Sequence, residues 1–93
     1  MPHTYQLEPQ CTLREAEALK VALNAAEDSS GDLTLEAGAV EKVDTAGLQL
    51  LIAFARRIQL LERRLVWGSV SPALRSSART LGLAAALGLP EAA

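Results

Sequence analysis

The sequence predicts a small α/β domain in which helices pack against a central, mostly parallel β-sheet of about four strands. Three observations predict this. Two kinds of segment follow each other along the chain. In the short ones apolar and polar residues alternate, which is typical of strands, and in the longer ones apolar residues recur every three or four positions, which is typical of helices. A helix between two successive strands requires a crossover, which makes those strands parallel. Hydrophobic residues make up 49% of the 93 residues, enough for a single core.

The first strand and helix are predicted from residues near the start of the chain. Tyr5 and Leu7 alternate with polar residues, and Pro9 ends this strand. Thr12 and Glu15 have the spacing of a capping box, so a helix is expected to begin there. The inward stripe of this helix consists of apolar residues at helical spacing, namely Ala16, Leu19, Leu23 and Ala26.

The middle of the chain predicts a second strand and the longest helix. Leu33 and Leu35 alternate with polar residues, and a loop and short extended segment over 38–43 lead to Asp44. A helical pattern runs from Thr45 to about Arg63. Its inward stripe is Leu48, Leu51, Ala55 and Ile58, widened by Leu50, Phe54 and Leu61.

The last third predicts another strand and another helix. The segment 64–69 reads as a strand that a glycine stops. Ser71 is then expected to cap a helix with Pro72 in its first turn, where the missing N–H costs nothing. Gly82 is expected to end that helix, and a short helical turn follows it. We expect one domain over residues 1–93, with mobile tails at 1–3 and 88–93.

Composition excludes several classes of function. Aromatic residues make up 3% of the chain, which disfavours stacking on nucleic-acid bases. The net charge of -2 disfavours binding to phosphates with release of counterions, so a nucleic-acid partner is not expected. A single cysteine, Cys11, fits a reducing compartment. No signal peptide and no bilayer-length apolar segment is found, so a cytoplasmic protein without direct membrane insertion is expected.

The groups needed for catalysis are few. His3 is the single histidine, and with Cys11 it makes neither a nucleophilic triad nor a metal-ligand set. Neither of the glycine-rich phosphate-binding motifs occurs. The arginines within 56–64 alternate with apolar residues and are interpreted as a solvated helix face. We therefore expect no enzyme, no metal and no cofactor.

The junction between the extended segment and the longest helix carries more special residues than a helix start needs. Either Asp44 or Thr45 can cap the helix, but only one of them can occupy the cap. Gly47 lies in the first turn, where a glycine costs about 1 kcal/mol relative to alanine. One interpretation is a plain cap with a tightly packed glycine. The other is a phosphorylation site, because a phosphate there is stabilised by the helix dipole and free amides.

A family resemblance favours the second interpretation. The sequence Asp44-Thr45-Ala46-Gly47 resembles the D-[ST]-x-G turn of STAS domains, the modules of anti-sigma-factor antagonists and of sulfate-transporter tails. The resemblance extends from about Tyr5 to Leu83 and implies a STAS-type fold. It implies that Thr45 is phosphorylated by a partner kinase and that Asp44 is its acidic neighbour.

The resemblance also implies that the chain acts by binding other proteins. The closest likeness is to small chemotaxis-associated STAS proteins, which implies a phosphorylation-switched module whose partner is a kinase, an anti-sigma-like protein or a chemotaxis signalling protein. The alternative is the cytoplasmic STAS subunit that docks on the ATPase of a phospholipid-transporting ABC complex. Nucleotide or small-ligand binding at the same turn is a third hypothesis. The partner-binding residues are expected to be Lys42, Asp44, Thr45, Ala46, Gly47, Gln49 and Arg56, with Arg57 as a further candidate on the outward side of the helix.

Three features depart from the usual family pattern. Glu36 stands where relatives have an aspartate, one methylene shorter. The switch residue is Thr45, where serine is commoner. The start of the chain offers one predicted strand where many relatives have a hairpin.

Overall fold

The computed structural model describes residues 3–29 and 31–89, in which strands and helices alternate as the sequence predicts. A short 3-10 turn at Leu13–Glu15 leads into the first helix. The strands are β1 (His3–Gln6), β2 (Gln10–Cys11), β3 (Leu33–Ala37), β4 (Lys42–Val43) and β5 (Leu65–Val70). The helices are α1 (Ala16–Glu27), α2 (Thr45–Leu60), α3 (Pro72–Thr80) and α4 (Ala84–Leu87).

All strand pairs are parallel, which confirms the predicted α/β class, but they form two sheets. The main sheet has the order β1-β3-β5, and β2 pairs with β4 in a separate two-stranded sheet. The chain bends at Pro9, whose carbonyl accepts the N–H groups of Glu41 and Lys42 at 2.8 and 3.1 Å. The prediction of a single sheet of about four strands is therefore refined, because this bend starts a second sheet next to α2.

The core lies between the main sheet and the helices. Leu33 and Leu35 of β3 are fully buried, as are Leu48 and Ile58 of α2. Most of the predicted inward stripes are buried as expected. Leu61 is an exception, since 54% of its surface is exposed.

The exposure of Leu61 follows from where α2 ends. The helix was predicted to reach about Arg63, but it ends at Leu60. Glu62 adopts a left-handed conformation, with φ of 57°, and the N–H of Arg63 donates to the Ile58 carbonyl at 3.1 Å. Leu61 is therefore the capping residue after the last turn of α2, and the left-handed Glu62 ends the helical path directly after it.

The other helix ends agree closely with the prediction. The Ser71 hydroxyl caps α3 by accepting the Leu74 N–H at 3.1 Å, and Pro72 occupies the first turn. Gly82, with φ of 70°, follows the helix end. The indole N–H of Trp67 donates to the Leu87 carbonyl at 2.9 Å, which ties α4 to β5.

The face of the main sheet that points away from the core carries Glu36 and its neighbours. The Glu36 carboxylate lies over Gly68, where an added Cβ would collide with it, and accepts the Ser69 N–H at 3.2 Å. This bond falls where the register between β3 and β5 shifts. The glutamate that departs from the family pattern therefore supports the irregular part of the ladder.

The predicted tails fall mainly outside the described part of the chain, since residues 1, 2 and 90–93 are not described. His3 belongs to β1, where its N–H donates to the Asp32 carbonyl at 2.9 Å. Gly88 caps the end of α4. None of the helices described is both long and apolar enough to cross a bilayer.

Candidate partner-binding site at the start of α2

Asp44 is the residue that caps α2. It follows β4 in extended conformation, and its Oδ1 accepts the N–H of Gly47 at 3.0 Å. The sequence left Asp44 and Thr45 as alternative caps, and the structure assigns the cap to Asp44. An acidic cap also interacts favourably with the positive end of the helix dipole.

The second carboxylate oxygen of Asp44 has a structural partner far away in sequence. Its Oδ2 accepts the N–H of Leu13 at 2.9 Å, across 31 positions of the chain. Because the hydrogen bonds from Gly47 and Leu13 both favour the charged form, they lower the pKa of Asp44. The carboxylate therefore joins the start of α2 to the 3-10 turn before α1.

That 3-10 turn is held by its own polar pair. The hydroxyl and the N–H of Thr12 donate to Glu15 Oε1 at 2.6 and 3.0 Å, which lowers the pKa of the Glu15 carboxyl. The predicted pairing of Thr12 with Glu15 is present, but it begins a 3-10 turn that continues into α1. The segment that Asp44 contacts is thus fixed from both sides.

Thr45 differs from Asp44 because its side chain makes no hydrogen bond with the residues that the structure describes. It is the first residue of α2 and is exposed, and no hydrogen bond from another described residue reaches its hydroxyl. The capping role that a threonine would fill is already filled by Asp44. The Thr45 side chain is therefore exposed to solvent at the start of the helix.

Gly47 is required by the approach of another strand. It is buried, and a Cβ at this position would collide with the carbonyl oxygen of Cys11 in β2 and crowd a methyl group of Val43 at 3.2 Å. The glycine that was expected to pack tightly thus permits β2 to lie directly against the first turn of α2.

Cys11 provides packing and a carbonyl, and its thiol is not reactive. It is 1% exposed and its Sγ donates to the Glu8 carbonyl at 3.4 Å. Burial, reinforced by Glu15 and Glu8, raises the pKa of the thiol to about 11. A thiol with that pKa is protonated at neutral pH and is a poor nucleophile. Within the described ranges, no group of three or more potential metal ligands is assembled.

A groove of about 260 Å³ separates the start of α2 from α3. Thr45 and Leu48 line one side, and Ser76, Ser77 and Thr80 line the other. The α3 hydroxyls did not appear among the candidate residues predicted from the sequence. Their spacing along α3 gives them a common side of that helix, but only the packing of α3 beside α2 brings them near Thr45.

The predicted partner residues divide into a cluster and an outlying pair. Asp44, Thr45, Ala46 and Gly47 form the capped turn, and Lys42 precedes it in β4, exposed. Gln49 and Arg56 are exposed on α2, about 6 and 17 Å further along the helix axis than Thr45. Arg57, the further candidate, is paired with Glu27 of α1, with Nη2 and Oε2 2.9 Å apart.

A parallel sheet covered by helices, with an acid-capped helix beginning at an Asp-Thr-Ala-Gly turn, defines a small α/β module of STAS type. The chain belongs to the STAS domain family: a family model described as "Mlab, STAS domain" matches residues 5–90. Members of this family are generally non-catalytic. The chain is therefore a module of the signalling, anti-sigma-antagonist-like or transporter-associated kind.

Solved structures share the fold. One is the crystal structure of a sulfate transporter family protein from Wolinella succinogenes, which matches with a TM-score of 0.75 and 23% sequence identity. The match covers 94% of this chain and 71% of that one. No curated protein matches the sequence.

Proposed function

We propose that the chain is a non-enzymatic, cytoplasmic signalling module, similar to anti-sigma-factor antagonists, that is switched by phosphorylation of Thr45. Its partner is a protein kinase, an anti-sigma-like protein or a chemotaxis signalling protein. The observation that carries this proposal is the division of roles at the turn. Asp44 makes both structural hydrogen bonds, while the exposed hydroxyl of Thr45 makes none with the described residues.

The chemistry of the switch needs no catalytic group from this chain. The partner kinase transfers the γ-phosphoryl group of ATP to the Thr45 oxygen, the hydroxyl loses its proton, and ADP leaves. The phosphate adds about -1.5 to -2 charges at neutral pH. It lies beside the Asp44 carboxylate and at the mouth of the α2–α3 groove, so a surface with one negative charge becomes strongly anionic.

The surrounding residues have different expected roles in this proposal. Asp44 and Gly47 shape the turn, because one braces it and the other leaves room for β2. Lys42, Gln49 and Arg56 are exposed and are proposed to contact the partner directly. Ala46 is half-buried in the first turn of α2 and contributes shape more than polar contact.

Phosphorylation is tested by purifying the protein from its native cells and mapping phosphate by mass spectrometry. We expect phosphate on Thr45, its loss in Thr45→Val, and its return in Thr45→Ser. Thr4→Val is the matched control, since Thr4 is an exposed threonine in β1. Phosphate that persists in Thr45→Val, or no phosphate under any condition in which the cognate kinase is active, would disprove the switch.

A second candidate function is the docking of this chain on the ATPase of a phospholipid-transporting ABC complex. The match of the family model described as "Mlab, STAS domain" over residues 5–90 supports a transporter-associated role. This candidate predicts stable co-purification with an ATPase whether or not Thr45 is phosphorylated. Recovery of signalling proteins without an ATPase would exclude it and favour the first proposal.

A further inference from the structure

The outward side of α2 forms a continuous exposed strip that begins at the candidate site. We call it the α2 ridge. Its residues are separated by four, four, three and four positions, which puts them on one side of a helix. All of them are exposed. They are Thr45, Gln49, Ala53, Arg56 and Leu60.

The far end of the α2 ridge is apolar. Leu60 is 81% exposed, more than any other large hydrophobic side chain in the part of the chain described. Leu61, immediately after it, is 54% exposed. Two adjacent leucines in water at the end of a helix leave apolar area that a partner can bury.

The charge on the α2 ridge is of one sign, positive. The chain contains 11 acidic and 9 basic residues, yet α2 contains no Asp or Glu. Arg57 is neutralised by Glu27, whereas no hydrogen bond or ion pair from a described residue reaches the guanidinium of Arg56. A surface complementary to this ridge therefore carries a carboxylate opposite Arg56 and apolar groups beside it.

We infer that the α2 ridge is the docking face for an acidic amphipathic helix of the partner. The inference rests on the proposed function, since it assigns the chemistry of that partner. The ridge extends about 22 Å from Thr45 to Leu60, the length of four helical turns. Its three- and four-residue spacing suits a helix packed along α2, and the small side chain of Ala53 permits close approach at its middle.

The same arrangement gives the phosphate on Thr45 a physical effect. Thr45 begins the α2 ridge, so its phosphate faces the acidic helix docked along it. Like charges in contact repel, and the repulsion is strongest where the two helices exclude water. Phosphorylation then releases the partner by repulsion at one end of the interface, while the apolar contact at Leu60 sets the affinity of the unmodified state.

The inference is tested with a synthetic helical peptide of about 20 residues, about 30 Å long, that carries leucines and glutamates on one side. A second peptide has lysine in place of each glutamate. Each is titrated into the ¹⁵N-labelled full chain and followed by amide chemical shifts. We expect the acidic peptide to shift amides of the α2 ridge and the lysine peptide to bind at least about tenfold more weakly.

Variants locate the contact. Leu60→Ser and Arg56→Gln are each expected to lower the affinity for the acidic peptide by about tenfold. Thr45→Glu is expected to lower this affinity as well. Val21→Ser is the matched control, because Val21 is a 65% exposed apolar residue on α1 and is expected to leave binding unchanged. Unperturbed shifts elsewhere in each variant confirm that it folds.

Equal binding of both peptides, shifts that fall away from the α2 ridge, or no effect of Leu60→Ser would overturn the inference. Its failure is distinguishable from that of the phosphorylation switch. If the peptide binds the ridge while native Thr45 is never phosphorylated, the docking face stands and the switch fails. If Thr45 is phosphorylated but the peptide does not bind the α2 ridge, the switch stands and an acidic helix is excluded as the partner of this ridge.

Discussion

The two ends of α2 are both braced by polar contacts, but the braces leave different groups free. At the start, Asp44 accepts the amide N–H groups of Gly47 and Leu13, and no described residue forms a hydrogen bond with the Thr45 hydroxyl. At the end, Arg63 donates to the carbonyls of Gly31 and Glu27 and to Ser29 Oγ, at 3.0, 2.7 and 3.0 Å. The groups left free are a hydroxyl at one end and leucines at the other.

Hydrogen bonding at the two ends of α2 distinguishes residues that support the fold from residues proposed to bind a partner. Neighbours in sequence such as Asp44 and Thr45, or Arg56 and Arg57, look interchangeable in a motif. Their hydrogen bonds distinguish them, since Asp44 and Arg57 bind distant residues of the fold and no described residue forms such a bond with the side chain of Thr45 or Arg56. Substitutions at either end of α2, each compared with a matched control, test this distinction.

Breaking the start of α2 has the largest expected effect. Gly47→Ala places a Cβ against the Cys11 carbonyl, a backbone atom that cannot rotate away. Overpacking of this kind is expected to destabilise the fold by about 3 kcal/mol, which for a domain of this size lowers the melting temperature by about 12–24 °C. Thermal and urea denaturation measure it. Gln49→Ala, an exposed change in the same helix, is the control, and a Gly47→Ala protein as stable as this control contradicts the prediction.

Breaking the other end is expected to cost about half as much. Arg63→Met keeps much of the aliphatic stem but removes the three hydrogen bonds to the turn between α1 and β3. Hydrogen bonds to a charged group predict a loss of about 1.5 kcal/mol. Arg56→Met is the matched control with no such bonds and is expected to be neutral within about 0.5 kcal/mol. Equal urea midpoints for the two variants would show that Arg63 does not brace this end.

The cap at the start is expected to have a smaller effect that depends on pH. The pKa of Asp44 is lowered in the folded state, so its charge stabilises the fold above the ordinary carboxyl pKa of about 3.9. That contribution disappears as the pH falls through the lower, folded value. Wild type is therefore expected to have a higher melting temperature than Asp44→Asn at pH 7, and the difference between the two melting temperatures is expected to shrink below about pH 4. A difference that stays constant from pH 7 to pH 3 would exclude a role for the charge.

The smallest effect is expected at the residue of greatest functional interest. Thr45→Val removes a hydroxyl that makes no structural bond and is expected to change stability by less than about 0.5 kcal/mol. Thr12→Val is the matched threonine, whose hydroxyl donates to Glu15, and is expected to melt at a lower temperature than wild type. Calorimetry of both variants decides this. If Thr45→Val melts lower than Thr12→Val, the hydroxyl is structural and the basis of the proposed switch is lost.

Much of the fold was predictable because its signals are local. The periodicity of apolar residues predicted alternating strands and helices, and the crossover rule predicted parallel pairing. The first residue of α2 and the Ser71-Pro72 start of α3 were also predictable, since a cap and its amides lie within three positions of each other. The end of α2 was not, because a left-handed glutamate has no such signature.

The candidate site was predictable only in part. The motif drew attention to Asp44, Thr45 and Gly47, but it left the capping residue open. Two of the bonds that assign structural roles join distant positions, since Leu13 is 31 positions from Asp44 and Glu27 is 30 positions from Arg57. The hydroxyls of α3 that face Thr45 also come from a separate helix.

The class of fold, the order of its elements and the turn at which a partner is proposed to bind could all be predicted from the sequence. The fold class and the order of elements follow from spacings of a few residues, over which the backbone geometry of helices and strands is regular, whereas the turn was favoured as a site by its resemblance to the STAS motif. The tertiary structure was needed to show that Asp44 also holds the Leu13 amide, that the described residues make no hydrogen bond to the Thr45 hydroxyl, and that Leu60 is exposed. Those facts depend on which distant atoms come into contact when the helices pack on the sheet, and local spacing carries no record of that.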